Sequence, residues 1–178
     1  IPSGYNFPLT AVLKDKYSLS DQERKDGKSY ALRWVRVCLD ARRINARFLE
    51  SEVDRYLLPD IKEHLSRFRG CVFFSRLDLE AAFMQFPLTP EAQRILSFTW
   101  QGTQYSFTRA IFGLTFMSSR FQRVMSMLLE GTGAYPYIDD LIVGSATLDE
   151  HVETLRRVIQ RLNDLNLKLN VGKCQFGQ

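Results

Sequence analysis

Cysteine and histidine are scarce in this sequence, and long apolar runs are missing. The cysteines, Cys38, Cys71 and Cys174, lie far apart and form no Cys-x-x-Cys pair, and the two histidines are isolated. This pattern excludes a disulfide framework and a zinc site, and it suits a reducing compartment. The uncharged stretch at 110–119 is too short to span a bilayer, and no secretory signal is recognisable, so we expect no membrane partner.

What the sequence does contain is the balance of a folded soluble domain, with 45% hydrophobic and 25% charged residues. A length of 178 residues suits one domain, or one domain with a smaller lobe. Residues 1–49 hold ten Lys and Arg against five Asp and Glu, whereas residues 50–178 hold fourteen against fifteen. The basic N-terminal part indicates an anionic partner, although charge for solubility alone would give the same excess.

An acidic pair, Asp139-Asp140, separates two short apolar runs in the stretch 134–145 (AYPYIDDLIVGS). The runs predict a β-hairpin with the two carboxylates at its tip. Aspartate is common in turns because of its own backbone preferences, so a plain turn is one interpretation. The other is that the turn holds two anionic oxygen ligands side by side, as a hard divalent cation requires. A third carboxylate on another strand would favour the metal.

Asp78 is the candidate for that third carboxylate. It ends an apolar run at 71–79 that predicts a buried strand. Burying an unpaired carboxylate costs several kcal/mol, so such a residue needs a cation beside it. We therefore expect Asp78 either to bind a metal ion or to pair with an arginine.

The basic N-terminal part predicts another hairpin. Residues 8–13 and 32–39 are β-like runs, and the polar segment 14–29 between them contains KDGK at 25–28, a hairpin-tip pattern. The charged side chains of this segment suit a solvated sheet edge. They also suit a flap that contacts phosphates, and both interpretations stay open.

Further helices and strands complete the order along the chain. Apolar spacings and end signals predict helices at 54–69, 112–130 and 147–166, the last beginning at a capping box. A hairpin across Gln101-Gly102-Thr103 and a final strand at 167–171 are also predicted. We expect the last helix to bury four apolar side chains: Val152, Leu155, Ile159 and Leu162.

This order of elements predicts an α+β fold of the split β-α-β type, an antiparallel sheet with helices on one face. Pairing of the Asp78 strand with the Asp139-Asp140 hairpin would bring three carboxylates to one edge of the sheet. Two Mg²⁺ ions held there would stabilise the attacking and leaving oxygens of a phosphoryl displacement. Catalysis of this kind is mostly positioning and charge neutralisation, so it needs no nucleophilic side chain, and none is recognisable.

Five segments, in the same order, resemble the motifs of reverse transcriptases, and more narrowly those of gypsy-like LTR retrotransposons and their retroviral relatives. The FGLT motif favours this LTR branch. Where the family has Asn-Ala-Pro after that motif, this chain has Phe116-Met117-Ser118. The segments are RVCLDARRIN at 36–45, FSRLDLEAAF at 74–83, FGLT with FQ at 112–122, YIDD at 137–140 and LKLNVGKCQF at 167–176.

The resemblance implies a catalytic metal site and a contact to the triphosphate. Asp78, Asp139 and Asp140 would bind two Mg²⁺ ions, with Mn²⁺ as a substitute, and the backbone carbonyl of Leu79 would add a ligand. Arg36 would hold the triphosphate of the incoming dNTP.

The resemblance also implies how the nucleotide would be selected. Phe83 would be an aromatic gate that crowds a ribose 2′-hydroxyl and so favours deoxynucleotides. The backbone near Ala81 and Ala82 would face the triphosphate, and Phe112 and Gly113 would shape the nucleotide pocket.

Primer and template would meet a third group of matched residues. Tyr137 and Ile138 would lie near the primer terminus, and Asn45 would contact primer or template. The RNA or DNA template–primer duplex would be held mainly through its backbone and shape, because a polymerase cannot favour one sequence.

The division of the chain follows from the same resemblance. Residues 1–70 would form fingers and residues 71–178 the palm, with fingers elements interleaved around 90–112. The thumb, the RNase H domain and the integrase would be other parts of a pol polyprotein. The location would be cytoplasmic, in a virus-like particle, or nuclear.

The function implied is RNA-directed DNA synthesis by nucleotidyl transfer from dNTPs to a primer 3′-hydroxyl. The alternative is a catalytically inactive, domesticated or degenerate copy that acts as a nucleic-acid-binding or scaffold protein. An RNA-directed RNA polymerase is disfavoured by Phe83, since an aromatic gate would exclude ribonucleotides.

Overall fold

The computed structural model describes residues 3–13, 35–47 and 66–178. The contacts divide the chain into two compact units, one of residues 1–47 and 87–114 and the other of residues 48–86 and 115–178. The assignment of fingers and palm to the chain stays a prediction. The helix predicted at 54–69 lies outside the described residues except for its end, where 66–67 are helical.

In the first unit, strands β1 (Leu9–Leu13) and β2 (Val35–Leu39) form the antiparallel pair predicted for the N-terminal part. A short helix, α1 (Arg42–Asn45), follows β2 and buries Ile44. The polar segment predicted at 14–29 lies outside the described residues.

A short helix in the first unit, α2 (Pro90–Ile95), was not predicted. It begins at Thr89, whose hydroxyl accepts a hydrogen bond from the backbone N–H of Ala92 at 3.3 Å. A threonine followed by proline and glutamate is a recognised helix-start signal. The signal was therefore present, but α2 is only six residues long and has too few turns to show an apolar period.

The second hairpin of this unit, β4 (Ser97–Trp100) and β5 (Thr103–Ser106), confirms the prediction. Its turn is shorter than predicted, because Gln101 and Gly102 alone connect the strands and Thr103 already belongs to β5. Both turn residues have positive φ angles, 47° and 78°, a geometry that matches the twist of a two-residue hairpin.

The second unit contains a three-stranded antiparallel sheet with its last strand in the middle. Its strands are β3 (Phe73–Asp78), β6 (Tyr135–Tyr137) and β7 (Asp140–Ser145), in the order β3-β7-β6. Helices α3 (Met117–Leu128) and α4 (Leu148–Asp164) belong to the same unit. The antiparallel sheets and helices confirm the predicted α+β class.

The core of this unit lies between the sheet and the helices. Burial alternates along β7, so Leu141 and Val143 point into the core while Asp140 and Ile142 stay half-exposed. Burying such an aliphatic side chain contributes about 1.5–3 kcal/mol. The fully buried apolar side chains are Leu77, Met125, Leu129, Leu141, Val143, Val158 and Leu162.

The face of α4 that packs on the sheet is not the predicted one. Of the four apolar residues expected inside, Leu162 is buried, Leu155 is half-buried, and Val152 and Ile159 are 46% and 38% exposed. The reason is His151, which turns inward because Nε2 lies 2.7 Å from Ser75 Oγ and Nδ1 lies 3.2 Å from Ser145 Oγ. This hydrogen bonding rotates the helix, and the buried residues are His151, Thr154, Val158 and Leu162.

Two predicted element boundaries were also wrong. Helix α3 begins at Met117 instead of 112, because Gly113 has a φ of 97° that no α-helix contains. The predicted strand at 167–171 is reduced to an isolated bridge between Leu169 and Leu79. A 3₁₀ turn at Val171–Lys173 then bends the chain. No helix in the described part of the chain is long and apolar enough to cross a membrane.

Gly144 in β7 gives a stability prediction. A Cβ added there would lie 2.6 Å from Cδ1 of Phe68 and 3.2 Å from Sγ of Cys71. We expect Gly144→Ala to lower the free energy of unfolding by about 1–3 kcal/mol, since overpacking forces neighbours to move. Gly172→Ala is the control, because its Cβ would meet nothing closer than 3.7 Å. Equal denaturation midpoints for the two variants would contradict the packing described for Phe68.

Candidate active site

Two aspartates lie opposite each other at one end of the sheet. Asp78 is the last residue of β3 and Asp140 the first of β7, and the antiparallel register pairs them. Side chains directly opposite have Cβ atoms about 4.5–5.5 Å apart. The turn between β6 and β7 is Ile138-Asp139, so Asp140 lies in the strand and not at the tip as predicted.

Asp139 is tied to the same end of the sheet through its backbone. Its carbonyl accepts a hydrogen bond of 3.2 Å from the N–H of Leu79, the residue after Asp78. Leu79 is 3% exposed, so this bond is shielded from water. The hairpin that carries the acidic pair is therefore joined to the strand that carries Asp78 by pairing and by its own turn.

The turn itself is strained. Ile138 has a φ of 52°, which is rare for a β-branched residue and costs about 1–3 kcal/mol. Gln122 of α3 holds it from both sides. Its Oε1 accepts from the N–H of Ile138 at 2.7 Å, and its Nε2 donates to the carbonyl of Pro136 at 2.6 Å. A fully buried amide thus fixes the backbone just before Asp139.

No individual role was predicted for Gln122. A signal was available, because Gln122 is a polar residue beside Phe121 on the face of α3 that also carries the apolar Met125. Buried amides are almost always hydrogen-bonded, so a buried glutamine at this position needs hydrogen-bond partners. These partners could not be identified from the sequence, since Pro136 and Ile138 lie 14 and 16 residues further along the chain.

Two cations lie beside the facing carboxylates. Arg76 Nε lies 3.1 Å from Asp140 Oδ1, and Lys173 Nζ lies 3.9 Å from Asp78 Oδ1. The sequence predicted an arginine or a metal ion as the partner of Asp78, whereas the structure pairs it with Lys173. The Asp78 side chain is only 14% exposed, so its repulsion from Asp140 is incompletely screened by water. The cations offset that repulsion.

The chemistry of this donor set fits a hard divalent cation, because Mg²⁺ takes carboxylate and carbonyl oxygens. One carboxylate oxygen of Asp139 is buried. Within residues 3–13, 35–47 and 66–178, however, no three carboxylate, imidazole or thiol side chains are grouped closely enough to hold one ion. The structure therefore brings Asp78 and Asp140 together, with Asp139 adjacent in the chain, and the metal site stays a prediction.

The predicted nucleotide contacts of the second unit lie on a turn after β3. Ala81 is in the left-handed region, with φ and ψ both 46°, and a 3₁₀ helix (Ala82–Gln85) follows. Phe83 is 5% exposed, and its ring packs edge-on against Phe121 with centroids 4.8 Å apart. The predicted gate residue is therefore fixed by an aromatic neighbour, and its contact with a nucleotide stays a prediction.

The remaining predicted site residues lie in the first unit. Arg36 is in β2, opposite Val12. Asn45 ends α1, and its Nδ2 donates to the carbonyl of Gly113 at 2.8 Å. Gly113 needs its φ of 97° to make this turn after Phe112, which favours glycine. The structure thus joins Asn45, predicted for primer or template, to Gly113, predicted for the nucleotide pocket.

An ion pair begins helix α1 in the same unit. Arg42 donates from Nε to Asp40 Oδ1 at 2.9 Å and from Nη2 to Asp40 Oδ2 at 2.6 Å. The side-chain hydrogen bond from Arg42, with its backbone hydrogen bond and its charge, lowers the pKa of Asp40 from 3.8 to about 2. Asp40 raises the pKa of Arg42 in turn. Both residues lie within the motif at 36–45, and no individual role was predicted for either.

Paired antiparallel strands that present aspartates at one end, with helices against the sheet, are consistent with the α+β polymerase fold. A family model settles the particular family. The chain belongs to the reverse transcriptase (RNA-dependent DNA polymerase) family, whose model matches residues 20–178.

The relatives confirm the retrotransposon branch. The chain is 34% identical over 177 residues to the retrovirus-related Pol polyprotein from transposon 412 of Drosophila melanogaster, a match that covers 98% of this chain. It is 33% identical over 144 residues, 79% of this chain, to the Pol polyprotein from transposon gypsy of the same organism. The chain spans about 13% and 14% of the length of these relatives.

Solved structures agree in fold. Prototype foamy virus protease-reverse transcriptase matches 100% of this chain and 22% of its own, with a TM-score of 0.73 and 26% identity. A foamy viral protease-reverse transcriptase in complex with RNA/DNA hybrid matches 99% of this chain and 21% of its own, with a TM-score of 0.73 and 23% identity. The polymerase fold predicted from the motifs is confirmed.

Gln122 gives the next stability prediction. Gln122→Met keeps the length of the side chain but removes its hydrogen bonds to the N–H of Ile138 and the carbonyl of Pro136. We expect the free energy of unfolding to fall by about 2 kcal/mol or more, since buried unsatisfied groups cost about 1–3 kcal/mol each. Gln160→Met is the control, because Gln160 only bonds Asp164 at the surface. If urea denaturation showed a similar loss of unfolding free energy in both variants, the stabilisation of the turn by Gln122 would be refuted.

Asp40 gives a prediction about pH. Because folding lowers its pKa, the stabilisation from the Asp40–Arg42 pair is fully present above pH 3.8 and is lost as the pH falls through about 2. An NMR titration of the Asp40 carboxyl should show a midpoint near pH 2. Arg42→Gln should return it towards 3.8. A midpoint near 3.8 in the unmodified protein would contradict the pairing.

Proposed function

We propose that this chain carries the polymerase centre of a reverse transcriptase and performs template-directed DNA synthesis. The observation that supports the proposal most is the register of β3 and β7, which sets Asp78 opposite Asp140 with Asp139 next to it. Membership of the reverse transcriptase family supports the same conclusion. Because the chain covers only part of its relatives, the activity is proposed for the full-length protein that contains it.

In this proposal Asp78, Asp139 and Asp140 hold two Mg²⁺ ions, with the Leu79 carbonyl as a further ligand and Mn²⁺ as a substitute. The bound ions would supply charge neutralisation and stabilisation of the attacking and leaving oxygens. The protein supplies rigid placement of its carboxylates, through the β3–β7 register and the Gln122 bonds. In the absence of metal ions, Arg76 and Lys173 offset the negative charge of Asp140 and Asp78.

The nucleotide and the primer would use the other matched residues. Arg36 would neutralise the triphosphate from the fingers, and the backbone at Ala81 and Ala82 would face it. Phe112 and Gly113 would shape the pocket. The ring of Phe83 would stand where a ribose 2′-hydroxyl would collide with it.

A template–primer duplex of RNA or DNA is the proposed partner. Tyr137 and Ile138 precede the acidic pair in the hairpin, so a primer 3′-hydroxyl would approach along them. Asn45 would contact the duplex from the first unit. The foamy viral relative solved in complex with RNA/DNA hybrid supports this choice of ligand. Thumb, RNase H and integrase domains of a pol polyprotein are the proposed intramolecular partners, and a virus-like particle the proposed location.

The test is primer extension with the full-length natural protein, using a poly(rA) template with an oligo(dT) primer and Mg²⁺ or Mn²⁺. We expect dTTP incorporation, and we expect Asp139→Asn with Asp140→Asn to reduce it at least about a thousandfold, since preorganised charge stabilisation commonly contributes that much. Asp149→Asn is the charge-matched control, because Asp149 lies exposed in the first turn of α4.

Two results would contradict the proposal. Incorporation that survives in the double variant would show that these carboxylates do not hold the catalytic ions. A folded, duplex-binding protein that incorporates no nucleotide would favour the inactive, scaffold-like copy instead. The Asp149→Asn control separates loss of a catalytic carboxylate from a general loss of negative charge.

A further inference from the structure

Gln85 uses its whole side-chain amide to bind the backbone. Its Nε2 donates to the carbonyl of Glu80 at 2.6 Å and to the carbonyl of Lys168 at 2.9 Å. Its Oε1 accepts from the N–H of Lys168 at 2.6 Å. The orientation of the amide is determined by these partners, because a flipped amide would point oxygen at two carbonyls.

These bonds extend a backbone ladder beyond the point where the chain leaves it. The N–H of Asn170 donates to the carbonyl of Asp78, and the N–H of Glu80 donates to the carbonyl of Lys168. Between these two bonds, Leu79 and Leu169 form an antiparallel bridge. At the next residue, 81, the backbone turns away in the left-handed region. In a continued ladder the N–H of Lys168 would donate to the carbonyl of Glu80. The Gln85 amide instead lies between these two backbone groups, accepting from the N–H of Lys168 and donating to the carbonyl of Glu80.

The turn that Gln85 closes is the one that carries Phe83. It runs from Glu80 to Gln85, with a strained residue at 81 and a single 3₁₀ turn after it. An alanine in the left-handed region is unfavourable, so the surrounding bonds must hold the conformation. The ring of Phe83 is then held by two constraints, the Gln85 hydrogen bonds at the end of its turn and the T-shaped contact with Phe121.

We propose that Gln85 is a positioning residue for nucleotide selection, which acts through Phe83 by fixing the turn to the segment at Lys168. The proposal rests on the proposed function, since it assigns Gln85 a part in discriminating deoxynucleotides from ribonucleotides. A gate rejects a 2′-hydroxyl only if its ring cannot move aside. Loosening the turn therefore weakens rejection of ribonucleotides more than it weakens use of deoxynucleotides.

The test compares Gln85→Met with wild type in the full-length protein, by the ratio of kcat/KM for dTTP to that for UTP. Methionine keeps the length and loses all three hydrogen bonds. We expect the ratio to fall about tenfold, the equivalent of one or two hydrogen bonds. The ratio is independent of the folded fraction, because both substrates are measured on one preparation. Gln93→Met is the control, since Gln93 also binds a backbone carbonyl, that of Leu88, at 2.8 Å.

A second variant tests whether Gln85 acts through Phe83. Phe83→Val removes the ring, and adding Gln85→Met to it should lower the ratio no further, because coupled residues are non-additive. Hydrogen exchange gives a readout apart from activity. In Gln85→Met the amide of Lys168 should exchange about tenfold faster, because it loses its acceptor, whereas Gln93→Met should leave it unchanged.

The outcomes separate this inference from the proposed function. An active wild type with the same ratio in Gln85→Met and Gln93→Met overturns the inference alone. Full additivity with Phe83→Val, or unchanged exchange at Lys168, also overturns it. A wild type that incorporates no nucleotide overturns the proposed function, and this inference with it.

Discussion

The antiparallel register between β3 and β7 is the constraint on which the candidate site depends. It sets Asp78 opposite Asp140, two like charges that would separate in an unconstrained chain. A slip of one residue would send Asp140 to the other face of the sheet, since side chains alternate. The buried face of the same strands prevents that slip, because Leu141 and Val143 would leave the core. Hydrophobic packing on one face thus enforces electrostatic strain on the other.

Three polar side chains, one from α3, one from α4 and one from the turn after β3, stabilise that register by hydrogen bonds to the strands and turns. Gln122 fixes the strained turn before Asp139, and Gln85 fixes the strained turn after Asp78. His151 joins β3 to β7 through Ser75 and Ser145. Gln122 and His151 are buried, and a buried polar group stabilises the fold only when all its hydrogen bonds are formed. Gln85 is half-buried and forms its hydrogen bonds nearer the surface. The unfavourable backbone conformations of Ile138 and Ala81 persist because of these bonds.

Local patterns predicted much of this arrangement, and long-range bonds account for the errors. The strand pairs β1–β2, β4–β5 and β6–β7 and the strand ending at Asp78 follow from apolar alternation and turn residues, which act over a few positions. The predicted buried face of α4 was wrong because His151 forms hydrogen bonds with serines on two strands, one of them 76 residues away in the chain. Gln85 had no visible role, because Lys168 lies 83 residues further on. Asp78 and Asp140 were identifiable as candidates, but their counter-ions, Lys173 and Arg76, were not.

The most direct measurement is a count of Mn²⁺ ions bound at the carboxylates, by electron paramagnetic resonance. The sample would be the full-length protein with a template, a dideoxy-terminated primer and the matching dNTP, so that no turnover occurs. The account predicts two bound Mn²⁺ ions per chain in wild type and a loss of tight binding in Asp78→Asn, because the facing carboxylates act as one site. The same number of ions in wild type and Asp78→Asn would contradict it.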